Sequence, residues 1–535
     1  MRTLVADDGE TLDESAPPPE DESADRPRRR LAGGVPPQLS TAVVAGLVLI
    51  GVVARFVSPS KLWLDEALSV NIATLPVGDM LTALKHDGHP PLYYLLLHGW
   101  MSLVGEGDAA VRALSGIFGV ATLPLAWIAG RRLAGAAGAR WALLVVALSP
   151  YCVRYSTETR MYSLVMLLVL AGYLLLTDAL KAPTLPRLAG IAVVSGLLLL
   201  SHYWSIWLLG ATGLLLVARW WRNADERATT LKAIVAVAAG GVLFLPWVPS
   251  FLYQSGHTGT PWGEPFRPTA VVQLTMADMA GGNNFSEGTL GGYLILVFML
   301  LALFVVRTER REMVLDVGTA PTVRRELAVS LVTIVIGCAV AYATSATFQS
   351  RYAAVFIPLV LLAAAVGITR VPEGAARLAA GGTFVAFALV GVGWINYFER
   401  TQSPQIASAV ADHAQPGDVV VYCPDQLGPD YSREMPDGLV ELAYPTLDAP
   451  DRIDWVDYAS RNAAADPLAL ADEVRRIAGD HDIFVVWKAE YLTYGLQCEQ
   501  FLHEVGQGRT GQNLVTQDGG KFYEPANLTW IPASS

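Results

Sequence analysis

Several short clusters of ionisable and aromatic residues punctuate a chain that is otherwise greasy. The first apolar helix ends in Trp63-Leu64-Asp65-Glu66-Ala67. Two adjacent carboxylates at a membrane surface are costly to place there and mark function. Either Asp65 or Glu66 could serve as general base towards a hydroxyl. The plainer reading is a helix start, where acids are also favoured. About twenty residues on comes Asp87-Gly88-His89-Pro90-Pro91, whose prolines set the entry to a helix. Asp87 and His89 would lie beside Asp65 and Glu66, as a shared site or as ligands of a divalent cation, although no metal-ligand spacing is evident. Further along, 151–163 carries Glu158, Arg160 and Tyr162 between two apolar runs, and two more helix mouths carry His202 with Tyr203 and Arg351 with Tyr352. A guanidinium fork keeps its charge and matches a phosphate. Singly, each of these groups also reads as an interfacial anchor. Together they fall on one face of the membrane, which anchoring does not predict.

The elements that must position these groups follow from composition. Of 535 residues, 53% are hydrophobic and 16% charged, against roughly 25% charged in soluble domains, so most of the chain belongs in lipid. Apolar runs near the ~20-residue bilayer length fall at 41–56, 112–130, 141–156, 161–179, 188–203, 204–219, 232–250, 290–306, 327–345, 352–369 and 377–396. That predicts a polytopic α-helical membrane protein of about 11 spans, with 39–398 as its transmembrane domain. Residues 1–38, acidic and Pro-rich with Arg26, Arg28, Arg29 and Arg30, read as a disordered cytoplasmic tail. The first extracytoplasmic loop is then 57–111, in which 91–104 is apolar but too short to span and lies along the outer surface. Lys and Arg crowd the loops assigned to the inside, which makes the outward Arg55, Lys61, Lys85, Arg112, Arg154, Arg160, Arg267 and Arg351 conspicuous. The outward loop 254–290, with Thr258-Gly259-Thr260-Pro261-Trp262 and Gly281-Gly282-Asn283-Asn284-Phe285, has the length of a lid.

From about 399 the pattern changes. Helices near 406–413 and 468–477 alternate with strands at 418–423 and 482–487, which predicts a small soluble α/β domain over 399–535, outside the membrane. Cys423 and Cys498 both fall in it and could pair if it faces outward. Neither end has a basic run with interleaved aromatics, so nucleic acid is not a partner.

The Leu-Asp-Glu at the end of the first helix, Asp-Gly-His-Pro-Pro-Leu-Tyr-Tyr and Glu-Thr-Arg-Met-Tyr resemble the bacterial glycosyltransferase 39-like branch of the GT-C superfamily. That branch includes protein O-mannosyltransferases and lipid A aminoarabinose transferases, and the resemblance covers roughly residues 40–370. It implies a GT-C fold in the plasma (inner) membrane and inverting transfer from a polyprenyl-phosphate sugar on the extracytoplasmic face. Asp65 takes the family's base role, Asp87 a supporting role in binding donor or acceptor, and Arg351 the phosphate-binding role. The acceptor is a glycolipid, a polysaccharide or a protein. Mannose is the preferred donor sugar, with arabinofuranosyl or aminoarabinosyl transfer by the same mechanism as the alternative. In-line displacement asks for Asp65 on one side of the anomeric carbon and Arg160 or Arg351 on the other. The competing readings are a transporter, or a non-catalytic polyprenyl-lipid binding protein. A transporter would place its polar groups near the midplane on broken helices, whereas these sit at helix mouths.

Overall fold

The structure is a computed structural model that describes residues 40–263, 267–282, 286–309, 312–316, 318–319, 322–489 and 491–533. The tail expected at 1–38 and Asn283, Asn284 and Phe285 of the expected lid lie outside the described residues.

Most of the chain is helical, and the breaks fall where sequence chemistry puts them. Ser40 caps the first helix, Thr41–Ala54, by accepting the Val43 N–H. A helical stretch Asp108–Leu148 carries a sharp bend at Ala134 and Gly135, the latter at φ 62°, a conformation suited to glycine. A side chain at Gly130 would meet the carbonyl of Gly138 at 2.4 Å, so two glycines let the limbs of that bend close on each other. Pro150 then opens a separate short helix, Pro150–Ser156. Five helical stretches among the described residues are long and apolar enough to cross a membrane: Asp108–Leu148, Tyr162–Ala179, Ala224–His257, Arg324–Ala343 and Ala375–Tyr397. Shorter apolar helices accompany them, including Thr41–Ala54, Leu185–Ser201 and Ile357–Arg370.

The region between the first two long elements is more ordered than a loop. It forms three helices, Leu64–Ala73, Val77–Asp87 and Leu92–Val104. Asp65 and Glu66 therefore do not end the first helix, as the sequence suggested, but open a second one. Pro59 and the extended Trp63 separate the two. The expected lid is likewise partly helical, with Pro268–Asp278 in its centre.

The C-terminal region is an α/β layer. Strands Val440–Ala443, Val419–Cys423 and Ile483–Trp487 run parallel, and Asn527–Ile531 and Gln512–Val515 extend the sheet antiparallel, in that order. Cys423 and Cys498 are disulfide-bonded, tying the strand Val419–Cys423 to the helix Gln497–Val505. This layer is not a free-standing appendage. Trp63 and Leu64 are buried in its hydrophobic core beside Val419, Val421 and Tyr494. Strand Glu399–Thr401, at the end of the last long helix, pairs with Phe522–Glu524.

Candidate functional site

Asp65 sits in the first turn of the helix Leu64–Ala73, and two long-range contacts fix that helix. Its N-cap, Trp63, offers no side-chain acceptor. Instead Glu524, from the C-terminal layer, accepts the Leu64 N–H at 3.0 Å, satisfying one of the donors a helix start leaves free. One residue past Asp65, Glu66 is wholly buried. Its carboxylate accepts two bonds from Arg112, at 2.8 and 2.6 Å, one from Arg400 at 3.0 Å and one from the Thr159 N–H at 2.9 Å. Burial alone would raise its pKa, but the guanidinium groups of Arg112 and Arg400 outweigh that and hold it down at about 2.

The carboxylate of Asp65 points the other way, into a cavity of about 420 Å³. Arg351 Nη1 lies 2.8 Å from it and Arg160 Nη2 3.9 Å. Arg351 is held by the faces of Trp63, Trp262 and Tyr352, with ring centroids 5.6, 5.5 and 6.0 Å away. Arg160 is held by hydrogen bonds to Ser69 at 3.0 Å, Tyr94 at 3.2 Å and His89 at 2.8 Å. Because a guanidinium only donates, His89 Nε2 must accept there, which leaves its Nδ1–H to donate to Asp87 at 2.7 Å. Tyr94 also donates to Asp87. Burial works against ionisation of Asp87, yet His89 and Arg160 bring its carboxyl below the usual range.

Seven of the residues singled out from sequence thus line one chamber: Asp65, Asp87, His89, Arg160, Tyr162, Arg351 and Tyr352. His202 and Tyr203 line an adjoining, mostly apolar groove of about 400 Å³ between Trp204, Trp207, Phe251 and Val340. His89, Thr258, Thr260 and Tyr352 belong to both, so groove and chamber meet. Glu158 faces neither; it lines a smaller cavity behind Arg351. Glu66 lines none of the three, and its engaged carboxylate is not placed to act as a base.

Arg160 and Arg351 do not stand across an empty gap from Asp65, since both lie within 4 Å of its carboxylate. Nor do the acids and imidazoles assemble a metal site. Among the described residues no three His, Cys, Asp or Glu side chains converge. A guanidinium on His89 Nε2 also takes the position a cation would need.

Sequence reasoning missed the far wall of the chamber, which comes from the C-terminal layer: Gln426, Lys488, Tyr491, Tyr523 and Glu524. It also missed Arg400. The outward cations offered one usable signal, since topology did not call for Arg112 or Arg154. Nothing comparable marked the C-terminal residues.

With this geometry in hand, the chain can be set beside known proteins. The family model for dolichyl-phosphate-mannose-protein mannosyltransferases matches residues 88–249. No curated protein matches the sequence. The fold is similar to ArnT from Cupriavidus metallidurans bound to undecaprenyl phosphate, at 13% identity and a TM-score of 0.58, covering 92% of this chain and 98% of that one. Against ArnT in the apo state the identity is 12% and the TM-score 0.59, over 91% and 98% of the two chains. At these identities the likeness to ArnT is one of fold.

Proposed function

We propose that the protein is an inverting glycosyltransferase. It moves a sugar from a polyprenyl-phosphate monosaccharide to a cell-envelope acceptor, on the extracytoplasmic face of the plasma membrane. The observation that carries this reading is the pair of joined cavities: a charged chamber with a carboxylate between two arginines, opening into an apolar groove. A polyprenyl-phosphate sugar has the matching two halves, and ArnT, of the same fold, binds undecaprenyl phosphate. The charge pattern of the loops favours a cytoplasmic N-terminus and puts the chamber outside.

In this reading the prenyl chain lies in the groove past His202, Tyr203 and Trp207, and its phosphate meets Arg160 and Arg351. On arriving there the phosphate replaces Asp65 as counter-ion of Arg351 and frees the carboxylate. An acceptor hydroxyl then attacks the anomeric carbon as the bond to the phosphate oxygen breaks. The hydroxyl proton passes to Asp65, and polyprenyl phosphate leaves with its negative charge met by the two guanidinium groups. Fixed cations in a water-poor site stabilise such developing charge far better than water does. Asp87 and His89 act on Arg160 and hold its fork in place. Glu66 is a positioning residue, since through Arg112 and Arg400 it locks the helix that presents Asp65. Mannose is the preferred sugar, with arabinofuranose and aminoarabinose as alternatives.

The test is transfer of radiolabelled sugar by purified protein from polyprenyl-phosphate-mannose and polyprenyl-phosphate-arabinose to a membrane lipid extract. Label moving from one donor supports the reading and identifies the sugar. Binding of both donors without transfer to any acceptor would favour a lipid-binding protein or a transporter instead.

A further inference from the structure

The wall that the C-terminal layer gives the main chamber takes no step in the reaction proposed above. It is built from Gln426, Trp455, Lys488, Tyr491, Tyr523 and Glu524. None of these lines the apolar groove, so the wall bounds the part of the chamber that the groove does not reach. Several of its polar groups are spent within the protein. Tyr458 donates to the buried carboxylate of Asp425, so its oxygen accepts from Gln426 Nε2 at 3.1 Å. That turns Gln426 Oε1 towards Tyr491, whose O–H donates to it. Glu524 is occupied by the Leu64 N–H, and burial together with the nearby Asp430 pushes its carboxyl well up, towards the neutral form.

Lys488 is the exception. It directly follows the strand Ile483–Trp487, and its N–H donates to the Cys423 carbonyl at 3.0 Å, which fixes its backbone to the sheet. Its ammonium donates no hydrogen bond and has no carboxylate within 4 Å among the described residues; Nζ lies 5.7 Å from the centroid of the Tyr491 ring. Nor is Nζ sealed inside the protein, since Lys488 lines the chamber and is not among the buried groups without a partner. The chamber's other two cations, Arg160 and Arg351, both lie within 4 Å of Asp65, and in the proposed reaction the donor phosphate claims them. One positive charge is therefore left over. An ammonium has three donors and no acceptor capacity, so an anion is the group that completes it.

Inversion says which substrate brings that anion. The acceptor approaches the anomeric carbon from the face opposite the departing group. With the prenyl chain in the groove and the phosphate on the two arginines, the C-terminal wall is the surface that the donor leaves unused. We infer that this wall is the acceptor subsite and that Lys488 is its specificity-determining residue, selecting an acceptor that carries a carboxylate or a phosphate besides the hydroxyl that reacts. The inference rests on the glycosyltransferase reading above.

The experiment loads full-length protein in nanodiscs with undecaprenyl phosphate, which occupies Arg160 and Arg351. Three matched probes are then titrated by saturation-transfer NMR: methyl β-D-glucoside, methyl β-D-glucuronide with its carboxylate, and methyl β-D-glucoside 6-phosphate. At least one anion should bind roughly tenfold or more tightly than the neutral glucoside, the worth of one charge-assisted bond. Which anion does so identifies the group. Lys488→Met and Lys488→Gln should both remove the preference, and Lys488→Arg should restore it. Undecaprenyl phosphate binding, measured in parallel, reports whether each variant is folded. The inference is overturned if neither anion outbinds the neutral glucoside, or if a folded Lys488→Met or Lys488→Gln keeps the preference. Wild-type protein that prefers an anion through Lys488 but does not bind undecaprenyl phosphate would sink the donor reading and leave the anionic subsite standing.

Discussion

Replacing Glu66 with glutamine tests the claim that this residue positions and does not react. The side chain keeps its shape and loses its charge, leaving Arg112 and Arg400 buried without a counter-ion. Removing one partner of a buried ion pair costs about 3–5 kcal/mol. A second route gives a similar figure. A carboxyl held at about 2 instead of 4.5 corresponds to about 3 kcal/mol of stabilisation of the folded state. Because the folded value lies below the unfolded one, that stability is present above about 4.5 and is lost as pH falls towards 2. Thermal unfolding of purified protein at neutral pH should therefore show a clear drop in melting temperature for Glu66→Gln. Acidification should narrow the gap to the wild type. Glu66→Gln melting with the wild type at pH 7 would refute this reasoning. So would normal stability with transfer wholly lost, since that is the behaviour of a reacting group.

Other outcomes follow from the same contacts. Arg351→Lys keeps the charge but loses the fork and most of the stacking on Trp63 and Trp262. Donor binding, read by undecaprenyl phosphate titration, should weaken roughly tenfold. Removing the disulfide by Cys423→Ala with Cys498→Ala frees a loop of 75 residues. The chain-entropy estimate for that length is about 4 kcal/mol, to be seen as a lower melting temperature that reductant also produces in the wild type. Burial raises the Asp425 carboxyl to about 6, against the pull of hydrogen bonds from Tyr458 and Tyr494. Its contribution is full below the unfolded value near 3.8 and is lost as pH rises through about 6. Melting of the wild type across that range should therefore fall more steeply than melting of Asp425→Asn.

How much of this was legible depended on the range of the interaction. Asp65, Arg160 and Arg351 could be found because a charged group at a helix mouth stands out against a greasy chain. The strands Val419–Cys423 and Ile483–Trp487 could be found because continuous β-branched runs bounded by turns leave few alternatives. From position alone Asp65 and Glu66 could not be told apart in role, and only the family resemblance favoured Asp65. Neighbours on a helix point about 100° apart, and which one faces the cavity depends on how the helix is docked. That docking is set by Arg400, 334 positions away from Glu66, and by Glu524, 460 positions from Leu64. No local pattern carries such pairings, and for the same reason the individual residues of the C-terminal layer that wall the chamber, Gln426, Lys488, Tyr491, Tyr523 and Glu524, went unmarked. The opposed placement that in-line displacement asks of base and arginines describes the donor-bound site; without a donor, Arg160 and Arg351 both lie within 4 Å of the Asp65 carboxylate.

The central claim is that Asp65 takes the acceptor's proton in a chamber where Arg160 and Arg351 bind the donor phosphate. The direct measurement compares Asp65→Asn with the wild type for donor binding and for sugar transfer on the same preparations. Donor affinity should stay within a few-fold, while transfer drops by roughly 10²–10⁴, the usual contribution of a general base. Transfer at the wild-type rate in Asp65→Asn would contradict the account, because another group would then be accepting the proton.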